Sequence, residues 1–152
     1  MMHVLEREQL VARPRSEVFA FFSDAANLER LTPNSLKFRI KTATPIAMRA
    51  GALIDYEIKL SGLPMQWRTL IEVYEPESRF VDLQVRGPYK LWRHTHAFAD
   101  APGGGTEMSD RVEYELPLGP LGSIAHALFV KRQLASIFAF RNETMKTLFP
   151  AR

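Results

Sequence analysis

From residue 38 to about residue 116 the side chains alternate with a period of two, and clusters of Gly and Pro interrupt the pattern at strand-length intervals. Phe38, Ile40 and Thr42 share one strand face. Ile54, Tyr56, Ile58 and Leu60 share another, and Trp67, Thr69, Ile71 and Val73 a third, with Gln66, Arg68, Glu72 and Tyr74 turned outward. Turn signals separate the runs at residues 45–51, Ser61-Gly62-Leu63-Pro64, Glu75-Pro76-Glu77-Ser78, Gly87-Pro88 and residues 101–105. A chain written this way has one simple solution, an antiparallel meander with one wet face.

Helical spacing flanks the meander. Residues 4–12 read as extended, and Pro14 opens a helix where its missing N–H has no intrahelical partner to lose. Val18, Phe19, Phe22, Ala25 and Ala26 recur at helical spacing, and the pattern runs on through Leu31 to a stop at Thr32-Pro33, with a second short helix around residues 33–36. After Leu116-Pro117-Leu118-Gly119-Pro120 the chain is helical to about Phe149, with Leu121, Ile124, Ala125, Leu128, Phe129, Ala135, Phe138, Met145 and Leu148 as its apolar stripe. One long helix on one curved sheet makes an α+β domain of two layers. The expectation is a single domain over residues 1–152.

Composition removes several classes of function. The chain has no cysteine, so disulfides, thiolate nucleophiles and cysteine-ligated zinc are excluded. No apolar run reaches the roughly 20 residues needed to span a bilayer, so integral membrane association is not expected. The opening residues lack the apolar core of a signal peptide, and a cytoplasmic protein is the expectation. Net charge is +3, but Lys and Arg are interspersed with Asp and Glu, so no nucleic-acid partner is expected. Among cofactors none is expected: Gly103-Gly104-Gly105 lies in a hairpin turn, and no phosphate loop or dinucleotide fingerprint opens a helix.

Chemistry concentrates on one strand. In Leu91-Trp92-Arg93-His94-Thr95-His96-Ala97-Phe98, alternation puts Trp92, His94, His96 and Phe98 on one face. A turn centred on Pro88 sets Gln84 opposite Trp92, Asp82 opposite His94 and Phe80 opposite His96. The next hairpin, turning at residues 102–105, sets His96 opposite Asp110, His94 opposite Val112 and Trp92 opposite Tyr114. Opposed Cβ atoms lie about 4.5–5.5 Å apart, and a slip of one residue would send the whole set to the other face. Asp82, Gln84, Trp92, His94, His96, Asp110 and Tyr114 therefore gather on one surface, with Asp82 expected beside His94 and Asp110 beside His96. The opposite face of the last strand, Glu107, Ser109, Arg111, Glu113 and Glu115, is the solvent side. Carboxylate–imidazole pairs suit acid–base catalysis by His94, His96, Asp82 and Asp110, and suit equally the anchoring of a ligand hydroxyl or carbonyl. They also suit a purely structural buried network. Two histidines and a carboxylate are a metal-binding set in other folds, but the paired carboxylates account for the imidazoles, and no metal is expected.

The order strand, two short helices, six-strand meander and long terminal helix, together with residues 25–33, Phe80-Val81-Asp82, Gln84, Gly87-Pro88-Tyr89, Leu91–Phe98, Gly105-Thr106, Met108, residues 110–112, Tyr114 and Leu116-Pro117-Leu118-Gly119, resembles the START-like, or SRPBCC, superfamily. Within it the chain is similar to ligand-binding relatives of polyketide cyclase/dehydrase-like proteins. The resemblance implies the helix-grip fold, with about seven strands wrapped on the terminal helix and a hydrophobic cavity between them. It implies binding of a small hydrophobic or amphipathic molecule, with Trp92, Tyr114, Trp67, Phe98, Gln84, Tyr56 and Phe138 as contacts. Two alternatives stay open: a cyclase or dehydratase acting on a polyketide-like or aromatic substrate, and an interaction module with a filled core. Arg141 and His126 are read as exposed helix residues near the cavity mouth, and Ser61-Gly62-Leu63-Pro64 as a candidate gate. Val81, Leu83 and Val85 form an apolar outer row that would suit a homodimer.

Overall fold

A computed structural model describes residues 1–60 and 62–150. Seven strands form one antiparallel sheet: β1 (Met2–Val11), β2 (Arg39–Ile40), β3 (Leu53–Leu60), β4 (Leu63–Glu75), β5 (Arg79–Arg86), β6 (Leu91–Asp100) and β7 (Thr106–Glu115). Their spatial order is β1-β7-β6-β5-β4-β3-β2, so the chain closes the meander by laying its last strand against its first. Helix α1 (Arg15–Ser23) and two 3-10 turns, Ala25–Glu29 and Asn34–Leu36, connect β1 to β2. At the other end α2 (Pro120–Ala125), a π turn (His126–Val130) and α3 (Lys131–Leu148) form one continuous helical arm. This is the helix-grip arrangement.

The alternation seen in the sequence survives as burial. Along β7 residues 106, 108, 110, 112 and 114 are buried, and β6 buries residues 92, 94, 96 and 98. The β6 register matches the arithmetic in both directions: Asp82 and His94 are opposed, as are Phe80 and His96, His96 and Asp110, and Trp92 and Tyr114. The β5–β6 ladder ends at Leu83 and Arg93. Beyond it the Gln84 side chain turns on its own hairpin, donating to the Tyr89 carbonyl at 2.7 Å and accepting from the Tyr89 N–H at 3.1 Å.

Three local readings are revised. Asp24 leaves the helical region (ψ 104°) and accepts from Ala26 N–H at 3.0 Å, so the first helix stops at Ser23 and a 3-10 turn replaces its expected continuation. In β4 the register shifts between Ile71 and Val73. That bulge reverses the phase of everything after it, so Tyr74, expected outside, packs 5.7 Å from Phe19 in the core. Val81 then pairs with Val73 and is fully buried, while Leu83 is half-buried and Val85 exposed. The outer row invoked for a homodimer is therefore not an open apolar patch.

The helical arm departs most. Its N-terminal half buries Gly122 and His126, whereas Leu121, Ile124, Leu128 and Phe129 from the expected stripe stand in solvent. Only α3 carries its apolar side inward, through Leu134, Phe138 and Met145, with Arg141 among them. Gly122 explains the docking of the first turn: a Cβ there would come within 2.2 Å of the Pro117 carbonyl. Three apolar clusters fill the interior, the smallest of them Ala52, Ile54 and Ile71. A second joins Phe19, Phe22, Phe80, Phe98, Met108 and Met145, and a third joins Ile58, Trp67, Trp92, Val112, Tyr114, Leu134 and Phe138. Met108 is only 1% exposed, and Met108→Ala should cost roughly 2–5 kcal/mol in urea denaturation.

Candidate functional site

Between the concave sheet face and α3 lies a cavity of about 180 Å3. Its wall is mostly apolar: Ile54, Ile58, Trp67, Ile71, Trp92, Leu134 and Phe138 reach it, with Tyr56 and Tyr89. Tyr56 stacks on Trp67 at 5.6 Å, and Trp67 meets Trp92 edge-on at 5.4 Å, so one wall is continuous aromatic surface. Asp82, His94, His96 and Arg141 form its charged end.

Four elements build that end. β5 contributes Asp82, β6 contributes both histidines, β7 contributes Asp110, and α3 lowers Arg141 onto them. His94, His96, Asp110 and Arg141 are each between 3% and 6% exposed. His94 Nε2 lies 2.8 Å from Asp110 Oδ1, and His96 Nε2 lies 2.5 Å from Asp82 Oδ2. The pairing expected from the register is thus exchanged: each imidazole reaches the diagonal carboxylate rather than the one facing its own Cα. The second contacts are longer, 3.8 Å from His94 Nδ1 to Asp82 and 3.5 Å from His96 Nδ1 to Asp110. The rings stack at 3.7 Å. Register sets which backbones oppose one another, but the ring nitrogens stand at the tips of side chains long enough to reach a diagonal neighbour.

Arg141 assigns the protons. A guanidinium only donates, and its Nη2 lies 3.2 Å from His96 Nδ1, so that nitrogen is the acceptor and the His96 proton sits on Nε2, donating to Asp82. His94 donates from Nε2 to Asp110, and the nearest carboxylate oxygen to its Nδ1 is 3.8 Å away, so no hydrogen bond occupies that nitrogen. Burial and the neighbouring His94 push His96 down to about 4, against the pull of Asp82. For Asp110 and Asp82 burial works upward, but it is outweighed for Asp110 by Arg141 and the histidines, and for Asp82 by the histidines and Arg141. Both carboxyls are held below the ordinary value.

The sequence-expected contacts divide. Trp92, Trp67, Tyr56 and Phe138 line the cavity. Tyr114 is behind it, with its hydroxyl 2.7 Å from His126 Nε2. His126 is itself buried and stacked on His3 at 3.5 Å, rather than exposed at a mouth. Phe98 belongs to the packed Phe19/Phe22/Phe80 cluster, and Gln84 holds the β5–β6 hairpin. Of the expected gate, Ser61 lies outside the described residues, and Leu63 is exposed. Arg141, like His126, was placed wrongly by the sequence reading. Its signal was available, because Phe138, Arg141 and Met145 follow one another at helical spacing along the buried stripe.

Asp82, His94 and His96 offer ligand atoms within 4.8 Å of one another, the spacing of a metal site. The Arg141 guanidinium already contacts His96 and Asp110, and a fixed positive charge there opposes a second cation. On residues of the cavity wall two buried donors have no partner among the described residues, Arg141 Nε and Trp67 Nε1.

A family model described as polyketide cyclase/dehydrase and lipid transport matches residues 2–150. The chain belongs to that family. No curated protein matches it. Among solved structures, TTHA0849 from Thermus thermophilus is similar at 17% identity and a TM-score of 0.72, over 96% of this chain and 99% of that one. A START superfamily protein from Mycobacterium smegmatis reaches a TM-score of 0.70 at 13% identity, over 96% and 99% of the two chains. The ZhuI aromatase/cyclase from Streptomyces sp. R1128 reaches 0.70 at 12% identity, over 97% and 96%. At these identities the likeness is one of fold. No described helix is long and apolar enough to cross a membrane.

The network makes stability pH-dependent. Unfolded, His96 takes a proton near its ordinary value of 6.5; folded, only near 4. Between those values the unfolded state binds more protons, so stability falls as pH drops. Below that, Asp82 and Asp110, whose folded values are lowered, lose their contribution as well. The urea midpoint should fall between pH 6.5 and 4, and His96→Gln should flatten that fall.

Proposed function

We propose that this chain encloses a small hydrophobic or amphipathic molecule bearing an oxygen acceptor, with its apolar body against Trp67, Trp92 and Phe138 and its polar atom at the Asp82–His94–His96–Arg141 end. The observation that carries this reading is the division of one cavity into an aromatic wall and a single charged end. An engineered apolar cavity of about 150 Å3 holds benzene, so this one suits a compact ring system in its present form. The two unpartnered donors support an acceptor-bearing ligand, because buried donors are normally satisfied. The likeness in fold to an aromatase/cyclase and to a START superfamily protein is consistent with either a binding or a catalytic use.

Both tryptophans of the chain line the cavity, so intrinsic fluorescence reports on its occupancy. Titration with 2-naphthol should quench it saturably. The isosteric 2-methylnaphthalene should bind roughly tenfold or more weakly, since it leaves the polar end without a partner. Equal affinities, or no saturable change with either probe, would count against the reading.

A second reading is favoured by one specific observation: the Nε2–Asp110 bond orients the His94 ring and leaves Nδ1 without a hydrogen bond, so the neutral ring presents a lone pair there. An imidazole so held is equipped to take a proton from carbon next to a carbonyl. The probe is 2-tetralone: the protein should accelerate hydrogen–deuterium exchange at its α-carbons, followed by NMR. His94→Gln should lower the rate about 10²-fold or more while 2-naphthol affinity changes little. Exchange no faster than buffer would leave binding as the whole function.

A further inference from the structure

The N-terminal half of the helical arm carries an apolar face that the fold does not use. Leu121, Ile124 and Leu128 recur at three- and four-residue spacing, with Phe129 beside them and Leu118 in the preceding turn, and all five are between 56% and 75% exposed. Contiguous apolar exposure of this kind marks a surface made for contact. The stripe is not lost packing, since the same turns bury Gly122 and His126 on their opposite side.

Charge identifies what it meets. Between Glu115 and Glu143 there is no acidic residue, whereas Lys131 and Arg132 follow the stripe directly and are exposed. Glu115, at the border, is already paired with Lys90 at 3.4 Å. An apolar helix face flanked only by basic residues is the pattern of a helix lying in the interface of an anionic bilayer. A second copy fits poorly: a two-fold contact would set Lys131 and Arg132 against a surface with no carboxylate in the same segment. No described helix is long and apolar enough to span a bilayer, so any membrane contact of this arm would be peripheral.

We propose that Leu118, Leu121, Ile124, Leu128 and Phe129, with Lys131 and Arg132, dock this protein peripherally on an anionic lipid surface. The next turns of the same helix, Leu134 and Ile137, line the cavity, which brings the docked face within a short distance of the binding site. Docking stands independently of whatever the cavity binds.

The test is co-sedimentation of the full chain with vesicles of phosphatidylcholine and phosphatidylglycerol at about 3:1, and with phosphatidylcholine alone. The protein should partition to the anionic vesicles, and the binding should weaken with salt. The double variant Leu128→Glu/Phe129→Glu should reduce partitioning by roughly tenfold or more. Lys131→Gln/Arg132→Gln should reduce it about fivefold per charge removed. All four positions are exposed, so thermal midpoints and 2-naphthol quenching should stay as in the unaltered chain, which separates this test from the cavity reading. Absence of partitioning to anionic vesicles at millimolar lipid would overturn the proposal. So would a dimer in sedimentation velocity that Leu128→Glu/Phe129→Glu converts to monomer, since the face would then belong to a second copy.

Discussion

Asp110 is the point on which the interior turns. Its carboxylate, 3% exposed, accepts from His94 on the neighbouring strand and from Arg141 on the terminal helix. A buried anion is strongly unfavourable without partners, and here one strand and one helix supply donors that converge on its Oδ1. The same requirement fixes the helix against the sheet at one depth and one rotation, because Arg141 must reach both Asp110 and His96. Without that constraint the apolar residues of α3 would allow several packings.

From this anchor the cavity follows. Arg141 holds the helix over the charged end, while Leu134 and Phe138 extend over the aromatic wall of Trp67 and Trp92. The carboxylates and imidazoles pair with one another across three strands, while Arg141 Nε is left without a partner beside the cavity. His96 is held neutral by burial, with its tautomer set by a guanidinium. His94 keeps one ring nitrogen, Nδ1, free of a hydrogen bond. Two chemically identical side chains, two residues apart, thereby acquire different capacities from their surroundings.

The helical arm divides at the π turn, Val130 being its last residue. Beyond it, the helix completes the core; before it, a comparable apolar stripe points away. Widened turns of this kind are found where a helix serves two demands, and here the turn separates the part that closes the cavity from the part that meets the outside. Membership of a cyclase and lipid-transport family fits a molecule with both an interior site and an unpartnered apolar face, though fold alone assigns neither.

Much of this was readable in the chain. Period-two alternation and the Pro88 and Gly103–Gly105 turns were enough to give strand count, hairpin register and the gathering of Asp82, His94, His96 and Asp110, because those depend on local geometry and on which face is wet. The errors arose where the outcome depends on contacts distant in sequence. A bulge near Glu72 reversed the phase for Tyr74, a packing accommodation with no mark in composition. Periodicity correctly grouped Leu121, Ile124, Leu128 and Phe129 on one face, but carries no information on what covers that face. Arg141 read as a surface residue because the carboxylate that makes its burial tolerable lies on β7, far away in sequence. Sequence by itself determined the elements, the pairing of strands and the company of the two histidines, through rules that act between near neighbours. Only the tertiary structure decided which carboxylate each imidazole bonds, which side of the helix is inside and where the charge of Arg141 is neutralised, since each of these is a balance of desolvation against partners brought together by folding.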